Sequence, residues 1–285
     1  MRKVSFLTCE INPNKKIKVN FSGCNWNCKG CFAIAKNEIG RELSVNALVD
    51  LIIKSSNLIY GKLIEDIQAT GGEPALNSNY LLSFIKQLRK IGVRKIGIST
   101  NGHLLDEKLI SELSNLHVDY IKIDLKAYSD EIHKWYTGFS NENVLKAVRL
   151  LHKHNLNFYV RTIFIPDIME FSEIEKIAKF LSSVDRNIQY RLYQFTPQYL
   201  DNKISRAPGE DEMLKNFEIA KKYLKNVHYF VYSKKIGFSQ DYKFVEVRAN
   251  EVLENFKKID KISKKIDKNW DIKYFTFNQI LSLNR

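Results

Sequence analysis

The sequence predicts an α/β fold in which a mainly parallel sheet is connected by helical crossovers. Six strand-like segments follow one another, each followed by a helical segment, and this alternation is typical of parallel sheets. The chain has 285 residues, 44% hydrophobic and 27% charged, so it can bury a sizeable core. No segment approaches the roughly 20 apolar residues of a membrane helix, and the N-terminus turns polar too soon for a secretory signal. We therefore expect a soluble, cytoplasmic protein with no membrane partner.

The six predicted strands are short and end at turn signals. In chain order they are residues 17–21, 66–70, 95–99, 120–124, 158–165 and 189–195. The first alternates apolar and polar residues after a short polar opening. A Gly-Gly turn at Gly71 ends the second, and Asn101 follows the third. Pro166 ends the fifth and Pro197 follows the sixth, because proline cannot donate to a ladder.

Helices are predicted between these strands from their apolar periodicity. They are residues 44–54, 80–90, 106–113, a helical stretch ending at 144–154, and a helix after Pro166. Ser44 is the expected N-cap of the first, with Leu48 and Leu51 on its apolar face. The last is expected to begin with a capping box from Ser172 to Glu175.

Beyond Pro197 the alternation stops, so we predict a core of residues 1–200 and an extension of residues 201–285. The extension should contain a helix at 211–224, strands at 229–232 and 244–247, and a lysine-rich helix at 251–266. Val252 and Phe256 recur at helical spacing in that last segment, which indicates an amphipathic helix on the core. The 45 Lys and Arg against 32 Asp and Glu give a net charge of +13, which favours RNA or an acidic partner.

Three of the four cysteines lie in one loop after the first strand. Cys24, Cys28 and Cys31 fall within eight residues, whereas Cys9 stands apart as a free core or surface thiol. Thiolates are the usual ligands of iron–sulfur clusters. Three thiolates on a four-iron cluster would leave one iron open to another ligand.

Zinc binding is the alternative for this loop. It would need a fourth protein ligand, for which His133, His152 and His154 are the candidates. A non-enzymatic metal-binding module in a larger complex is a further alternative. Glu73 and Asp124 at strand ends argue against it, since a structural cluster needs no cofactor ligands.

The cysteine spacing at the end of a first strand resembles the cluster loop of the radical S-adenosylmethionine superfamily. The resemblance implies a [4Fe–4S] cluster on Cys24, Cys28 and Cys31 whose open iron is chelated by S-adenosylmethionine. It further implies reductive cleavage of that cofactor to a 5′-deoxyadenosyl radical, which takes a hydrogen atom from a substrate. The residue before the third cysteine, usually aromatic, is Gly30, and the aromatic residue follows as Phe32. This variant is similar to anaerobic ribonucleotide reductase activating enzymes, and Phe32 is the candidate aromatic contact of the cofactor.

Two turns extend the resemblance. The turn Gly71-Gly72-Glu73-Pro74 resembles the superfamily motif whose backbone and glutamate hold the methionyl ammonium, which implies that role for Gly71, Gly72 and Glu73. Asn101, in Ser99-Thr100-Asn101-Gly102, resembles the Thr-Asn-Gly turn of the activating enzymes. A plain turn built on Asn and Gly is the alternative for Asn101.

The fourth and fifth strands resemble pyruvate formate-lyase activating enzymes. The run from Asp124 through Lys126 and on to Leu145 implies that Asp124 and Lys126 reach the bound cofactor, with a buried ion pair as the alternative. Arg161 would face the cofactor carboxylate. We interpret His133 as a structural residue on a surface helix. At the sixth strand these enzymes usually place a histidine, and this chain has Gln194 near that position.

The resemblance covers about residues 1–200 and implies a partial (β/α)6 TIM-like barrel with an α+β C-terminal extension. The implied function is a glycyl-radical-enzyme activase that takes a hydrogen atom from a glycine of a partner enzyme. Radical modification of a small molecule, a peptide or RNA is the alternative. An electron donor such as flavodoxin or ferredoxin is implied as a second partner.

Overall fold

One sheet of eleven strands organises the fold in the computed structural model, which describes residues 1–200, 204–231, 243–268 and 271–283. The strands are β1 (Arg2–Asn12), β2 (Lys16–Phe21), β3 (Arg41–Leu43), β4 (Asp66–Gly71), β5 (Lys95–Thr100), β6 (Tyr120–Asp124), β7 (Phe158–Phe164), β8 (Gln189–Gln194), β9 (Val227–Phe230), β10 (Lys243–Arg248) and β11 (Tyr274–Thr276). The helices are α1 (Val45–Tyr60), α2 (Ser78–Lys90), α3 (Glu107–Asn115), α4 (Asp130–Thr137), α5 (Glu142–Lys153), α6 (Phe171–Val184), α7 (Glu210–Lys221), α8 (Leu253–Ile266) and α9 (Phe277–Leu281).

The strand order confirms the predicted fold class. Strands β2, β4, β5, β6, β7, β8 and β9 are neighbours in that order, and each pair runs parallel. Helices connect most of these strands, as expected for parallel crossovers. The architecture is that of a partial (β/α)6 TIM-like barrel.

The two faces of the parallel strands differ in chemistry. Ala69, Ile98 and Ile121 align across β4, β5 and β6, and all three are buried. Because side chains alternate along a strand, the residues between them point to the opposite face, away from the crossover helices. We call that side the inner face; it carries Lys18, Gln68, Lys122, Tyr159, Arg161 and Arg191.

The predicted polar opening is wrong, because residues Arg2–Asn12 form the long strand β1. Val4, Leu7 and Cys9 on this strand have no exposed surface, so Cys9 is a core thiol. Strand β1 pairs antiparallel with β2, β3 and β10. An antiparallel strand lies outside the strand–helix alternation, which explains why that pattern did not reveal it.

The extension contributes strands at both sides of the sheet. Strand β9 pairs with β8, whereas β10 pairs with β1 on the far side. The strand predicted at 229–232 begins two residues earlier, and Tyr232 lies outside the described residues. The division of the chain at residue 200 stays a prediction.

The helix boundaries test the predicted caps. Ser44 Oγ accepts a hydrogen bond from the Ala47 N–H at 3.2 Å, so the predicted cap of α1 is confirmed. The capping box at Ser172 is wrong, since α6 begins at Phe171 and Glu170 precedes it without a side-chain cap. The amphipathic packing of α8 is confirmed by buried Phe256.

Among the described helices, none combines the length and the apolar surface needed to cross a membrane.

Candidate functional site

The predicted site residues gather at the carboxyl ends of the parallel strands, where active sites of such sheets lie. The cysteine loop follows β2, and the Gly-Gly-Glu turn follows β4. Asn101 follows β5, and Asp124 ends β6 opposite Arg161 on β7.

Helix α4 holds the cysteine loop from one side. The Asn27 and Lys29 N–H groups donate to the carbonyl oxygens of Thr137 and Tyr136, each at 3.0 Å. The buried Trp26 ring meets the edge of His133, with ring centroids 5.1 Å apart. His133 has no exposed surface, and its Nδ1 lies 2.7 Å from the Phe139 carbonyl oxygen. Helix α4 is exposed on its other side, at Lys134 and Trp135, as predicted, and His133 packs on its buried side beneath this loop.

The three loop thiols lie within electrostatic range of one another. Burial, with a smaller contribution from the neighbouring Cys31, raises the pKa of Cys24 to about 11 and that of Cys28 to about 12. Lys126 acts in the opposite direction on Cys28, because its ammonium favours the thiolate. A cationic group thus stands beside a thiol that must be deprotonated to bind a metal.

Two of the three histidines considered as a fourth zinc ligand lie away from the cysteine loop. Within the described ranges, no three His, Cys, Asp or Glu groups could hold one ion together. His152 lies 3.9 Å from Asp185 and His154 lies 3.3 Å from Glu107, both outside the cysteine loop. A cluster, whose separate irons each take one cysteine, does not require the thiols to converge on one point.

Gly30 has a steric reason to be glycine. A Cβ atom there would lie 2.5 Å from Tyr136 Oη and 3.0 Å from Phe195 Cε2. The rings of Tyr136 and Phe195 therefore occupy the space beside the third cysteine. Burial raises the pKa of Tyr136, with further contributions from Cys28 and Cys31. Tyr136 is thus a candidate site residue that the cysteine spacing alone could not reveal.

We expect Gly30→Ala to destabilise the protein by about 1–3 kcal/mol, because the added methyl overlaps the Tyr136 hydroxyl. The penalty should be smaller in a Tyr136→Phe background, where that oxygen is gone. Urea denaturation of the two single variants, the double variant and the parent measures this coupling. Additive penalties would contradict the contact.

Phe32 is placed differently from the other predicted cofactor residues. Its ring is 46% exposed and stacks on Tyr199 with centroids 5.1 Å apart. Phe32 and Cys31 line a groove of about 340 Å³ between the cysteine loop and α8. The role of Phe32 as an aromatic contact of the cofactor stays a prediction.

The Gly-Gly-Glu turn packs against the start of the cysteine loop and is hydrogen-bonded to it. The Gly72 N–H donates to the Phe21 carbonyl oxygen and the Glu73 N–H to that of Gly23, each at 2.8 Å. Gly71 has a φ of +109°, a conformation that glycine adopts readily. The turn therefore fixes the position from which the cysteine loop departs.

Glu73 joins the ends of β4 and β5 through its carboxylate. Its Oε1 accepts hydrogen bonds from Thr100 Oγ1 at 2.7 Å and from the Ala75 N–H at 2.9 Å. Its Oε2 accepts from the Asn101 N–H at 2.7 Å. Complete burial raises the Glu73 pKa to about 7, although these three donors act in the opposite direction. The predicted contact of Glu73 with a cofactor ammonium stays a prediction.

Glu73→Ala should lower both stability and cofactor affinity. Loss of the carboxylate leaves buried donors unsatisfied, at a cost of at least about 2 kcal/mol, and we expect S-adenosylmethionine to bind roughly tenfold to hundredfold more weakly. Thermal denaturation and equilibrium dialysis measure the two effects, and unchanged affinity would move the cofactor site away from this turn.

The same variant should change the pH dependence of stability. The Glu73 pKa is raised from 4.5 to about 7 on folding, so between these values the folded state keeps a proton that the unfolded state releases. This group therefore makes stability fall as pH rises through that range, and Glu73→Ala should remove its contribution. Urea midpoints at several pH values provide the comparison.

A second cluster of polar side chains, around Asp124, lies beside the cluster around Glu73. Asp124 Oδ1 is 2.8 Å from Arg161 Nη2 and its Oδ2 is 3.2 Å from Lys126 Nζ. Burial opposes the charged forms, but mutual attraction outweighs it. The Asp124 pKa is therefore lowered, and the pKa values of Lys126 and Arg161 are raised. Arg161 Nη2 also donates to Ser99 Oγ at 2.7 Å, which links this group to β5.

Two buried donors at this end of the sheet retain unused capacity. Arg161 Nε and Asn25 Nδ2 have no hydrogen-bond partner among the described residues. Asn101 Nδ2 donates to Asn25 Oδ1 at 2.7 Å and lies 3.8 Å from Cys24 Sγ, so these groups border the cysteine loop. The donors fit a cofactor that brings carboxylate or other acceptor oxygens next to the thiols. Gln194 is less available, because its Nε2 donates to the Pro208 carbonyl oxygen at 2.7 Å.

Comparison with known protein families matches this part of the chain. Residues 21–181 match the family model described as the radical SAM superfamily. A Methanocaldococcus jannaschii protein provisionally named a glycyl-radical enzyme activating enzyme is 36% identical over 225 residues, 78% of this chain and 83% of the relative. Pyruvate formate-lyase 1-activating enzyme of Escherichia coli is 25% identical over 167 residues, 57% of this chain and 67% of that protein.

A solved structure supports the fold. Streptococcus suis SuiB bound to S-adenosylmethionine matches with a TM-score of 0.60 at 14% identity, over 76% of this chain and 51% of SuiB. The similarity covers about half of that longer protein, so it concerns the shared barrel.

Proposed function

Because the chain belongs to the radical S-adenosylmethionine superfamily, we propose that it activates a partner enzyme by taking a hydrogen atom from one of that partner's glycines. The chain is a radical S-adenosylmethionine enzyme, and its family uses a [4Fe–4S] cluster together with S-adenosylmethionine. When bound, they would supply the one-electron cleavage of S-adenosylmethionine to methionine and a hydrogen-abstracting 5′-deoxyadenosyl radical, with the electron coming from an external donor. The protein supplies binding, orientation and exclusion of water.

Cys24, Cys28 and Cys31 would hold the cluster through three of its irons. Helix α4 fixes the middle of their loop, and the Gly-Gly-Glu turn fixes its start. Lys126 favours the Cys28 thiolate that cluster binding requires. This donor set fits a cluster with one iron left for an exogenous ligand.

The remaining site residues would orient S-adenosylmethionine. The unused Arg161 Nε offers a donor to its carboxylate, and the Asp124 carboxylate keeps that guanidinium in place at 2.8 Å. Gly71, Gly72 and Glu73 would lie toward its ammonium, and Asn101 would border both groups. The family resemblance implies each of these roles for the residue named.

One observation carries the activase proposal: the 36% identity to the provisionally named activating enzyme extends over 83% of that relative. Helix α4, whose sequence resembles the activating enzymes, holds the cysteine loop through two backbone hydrogen bonds. The provisional name of that relative supports the activase function over radical modification of a small molecule, a peptide or RNA.

The groove beside Cys31 supports docking of an electron donor such as flavodoxin or ferredoxin. Lys29, Lys36 and Lys258 line it, and the third cysteine of the loop opens onto it. Cationic side chains around a redox centre favour approach of an acidic protein and make the encounter rate sensitive to salt.

The activase proposal is tested with a partner enzyme from the same genome. Incubation of the anaerobically reconstituted, reduced protein with S-adenosylmethionine and the partner should produce a glycyl doublet in electron paramagnetic resonance. Oxygen should then cleave the partner at the radical glycine. A partner with that glycine replaced by alanine is the matched control. Stimulation of cofactor cleavage by a small molecule or RNA, without a radical on any partner, would favour the alternative.

A further inference from the structure

The inner face contains two basic side chains that lack carboxylate partners. Lys122 Nζ donates to Gln68 Oε1 at 2.7 Å, and Arg191 Nη2 donates to Gln189 Oε1 at 3.0 Å. Both acceptors are neutral amides. Within the described residues, neither basic side chain forms a salt bridge.

The carboxylates nearby are engaged by other cations. Glu10 pairs with Lys18 on β2. Asp66 lies 3.4 Å from Lys16 Nζ and 3.2 Å from Lys95 Nζ. The Asp124 carboxylate pairs with Arg161 and Lys126, as described above. The two remaining basic side chains therefore have no protein anion to neutralise them.

Lys122 on β6 and Arg191 on β8 both lie near the ring of Tyr159, which is on the strand between them, β7. The Arg191 guanidinium carbon is 3.8 Å from the Tyr159 ring centroid, and Lys122 Nζ is 5.8 Å from it. Stacking on Tyr159 accounts for the placement of Arg191, yet its buried Nε has no hydrogen-bond partner in the described residues. The site therefore contains an unused donor as well as two basic groups without a carboxylate partner.

A half-buried basic side chain without a carboxylate partner is costly to ionise unless a ligand brings negative charge. Lys122 shows this cost directly. Burial, followed by Arg161, Lys16, Lys18 and Arg191, lowers its pKa to about 6. A bound anion would remove this cost and raise the pKa of Lys122.

We propose that Lys122 and Arg191 bind a compact oxyanion of the substrate on the inner face, below the cofactor site. Lys122 precedes Asp124 by two residues on β6, so it lies one layer, about 7 Å, farther down the same face. An anion held there would anchor the substrate beneath the cofactor residues. The inference rests on the proposed function: the oxyanion is then the carboxylate of an acidic residue near the target glycine. A free small acid is the other source of the same chemistry.

The binding should be coupled to protonation of Lys122. The charged or titratable groups around this lysine are Glu10, Lys16, Lys18, Asp66, Lys95, Tyr120, Asp124, Tyr159, Arg161 and Arg191. Because Lys122 is largely neutral above pH 6 in the free protein, an incoming anion should draw a proton onto it. Affinity should therefore fall as pH rises above this value, and binding near pH 7 should take up protons.

Isothermal titration calorimetry of the full chain tests the proposal with three probes: inorganic phosphate, succinate and a glycine-containing peptide with one glutamate. The same peptide with glutamine is the neutral control. At least one anionic probe should bind the parent protein, and Lys122→Met and Arg191→Gln should each weaken it about tenfold to hundredfold. Repeating the titration in buffers of different ionisation enthalpy should show proton uptake that disappears in Lys122→Met.

Lys108→Met, on the exposed surface of α3, is the matched control and should leave binding and proton uptake unchanged. Preference for the glutamate peptide assigns the oxyanion to a protein segment, and preference for succinate or phosphate assigns it to a small acid. The proposal is overturned when no anionic probe binds the parent, or when both variants bind like the parent.

Failure of this inference can be separated from failure of the proposed function. A glycyl radical on the partner, with no anion binding at Lys122 and Arg191, leaves the activase function in place and overturns the oxyanion site. Anion binding that both variants weaken, without a radical on any partner, supports the site and contradicts the activase function.

Discussion

Replacing Cys28 by alanine is expected to abolish the iron–sulfur cluster. The chain supplies three thiolates from one loop, so the variant retains two protein ligands for a cluster of four irons. The backbone of the loop should survive, because its anchors at Asn27 and Lys29 are main-chain hydrogen bonds to α4. Iron and sulfide analysis after anaerobic reconstitution should fall from about four irons per chain to near zero.

Cys9→Ala is the matched control for that loss. Cys9 lies in the core on β1, outside the loop, and burial raises its pKa to about 12. Its variant should therefore keep the full iron content, although removal of a buried sulfur lowers stability somewhat. Equal iron loss in both variants, or a complete cluster in Cys28→Ala, would contradict the assignment.

Gly72→Ala is expected to destabilise the protein by about 3 kcal/mol and to reduce iron incorporation. A Cβ atom at this position would lie 2.0 Å from the Gly23 carbonyl oxygen and 2.6 Å from that of Ala35. Both atoms belong to the backbone, so no side chain can rotate away. The start of the cysteine loop must move instead, and the ligands downstream of it move as well.

Urea denaturation and iron analysis measure the two effects of Gly72→Ala. Gly209→Ala is the matched control, because the nearest atom to its added methyl would be Glu212 Oε2 at an ordinary 3.7 Å. A parental midpoint and parental iron content in Gly72→Ala would show that the turn and the loop are not in the contact described.

The sequence predicted the parallel part of the fold because its signals are local. Strand, turn and helix alternate at short range, and Asp106 and Ser44 cap their helices as their residue types suggest. Strand β1 escaped prediction because it is antiparallel and lies outside the strand–helix alternation, and because its partner β10 is more than 200 residues away in the sequence. The start of α6 was misplaced because Ser172 has a capping composition but lies within the helix.

The candidate site was predictable where a turn or a spacing marks a residue. Neither kind of signal marks Tyr136 or Arg2, whose Nη2 donates to the Glu73 carbonyl oxygen at 3.0 Å. Lys122 was within reach of sequence reasoning, since it precedes Asp124 by two residues and so shares its face. That Lys122 lacks a carboxylate partner could not be predicted, because its neighbours Gln68 and Tyr159 come from other strands.

The pairing of β1 with β10 has a consequence for how the protein folds. Phe6 pairs with Arg248, so strands near opposite ends of the chain must meet before the sheet is complete. Contacts between such distant segments raise contact order and slow folding. During synthesis, the part of β1 from Phe6 to Asn12 would have one unpaired edge until β10 leaves the ribosome, and unpaired edges recruit other chains. A nascent chain stalled before residue 243 should therefore depend on chaperones more than the finished protein does.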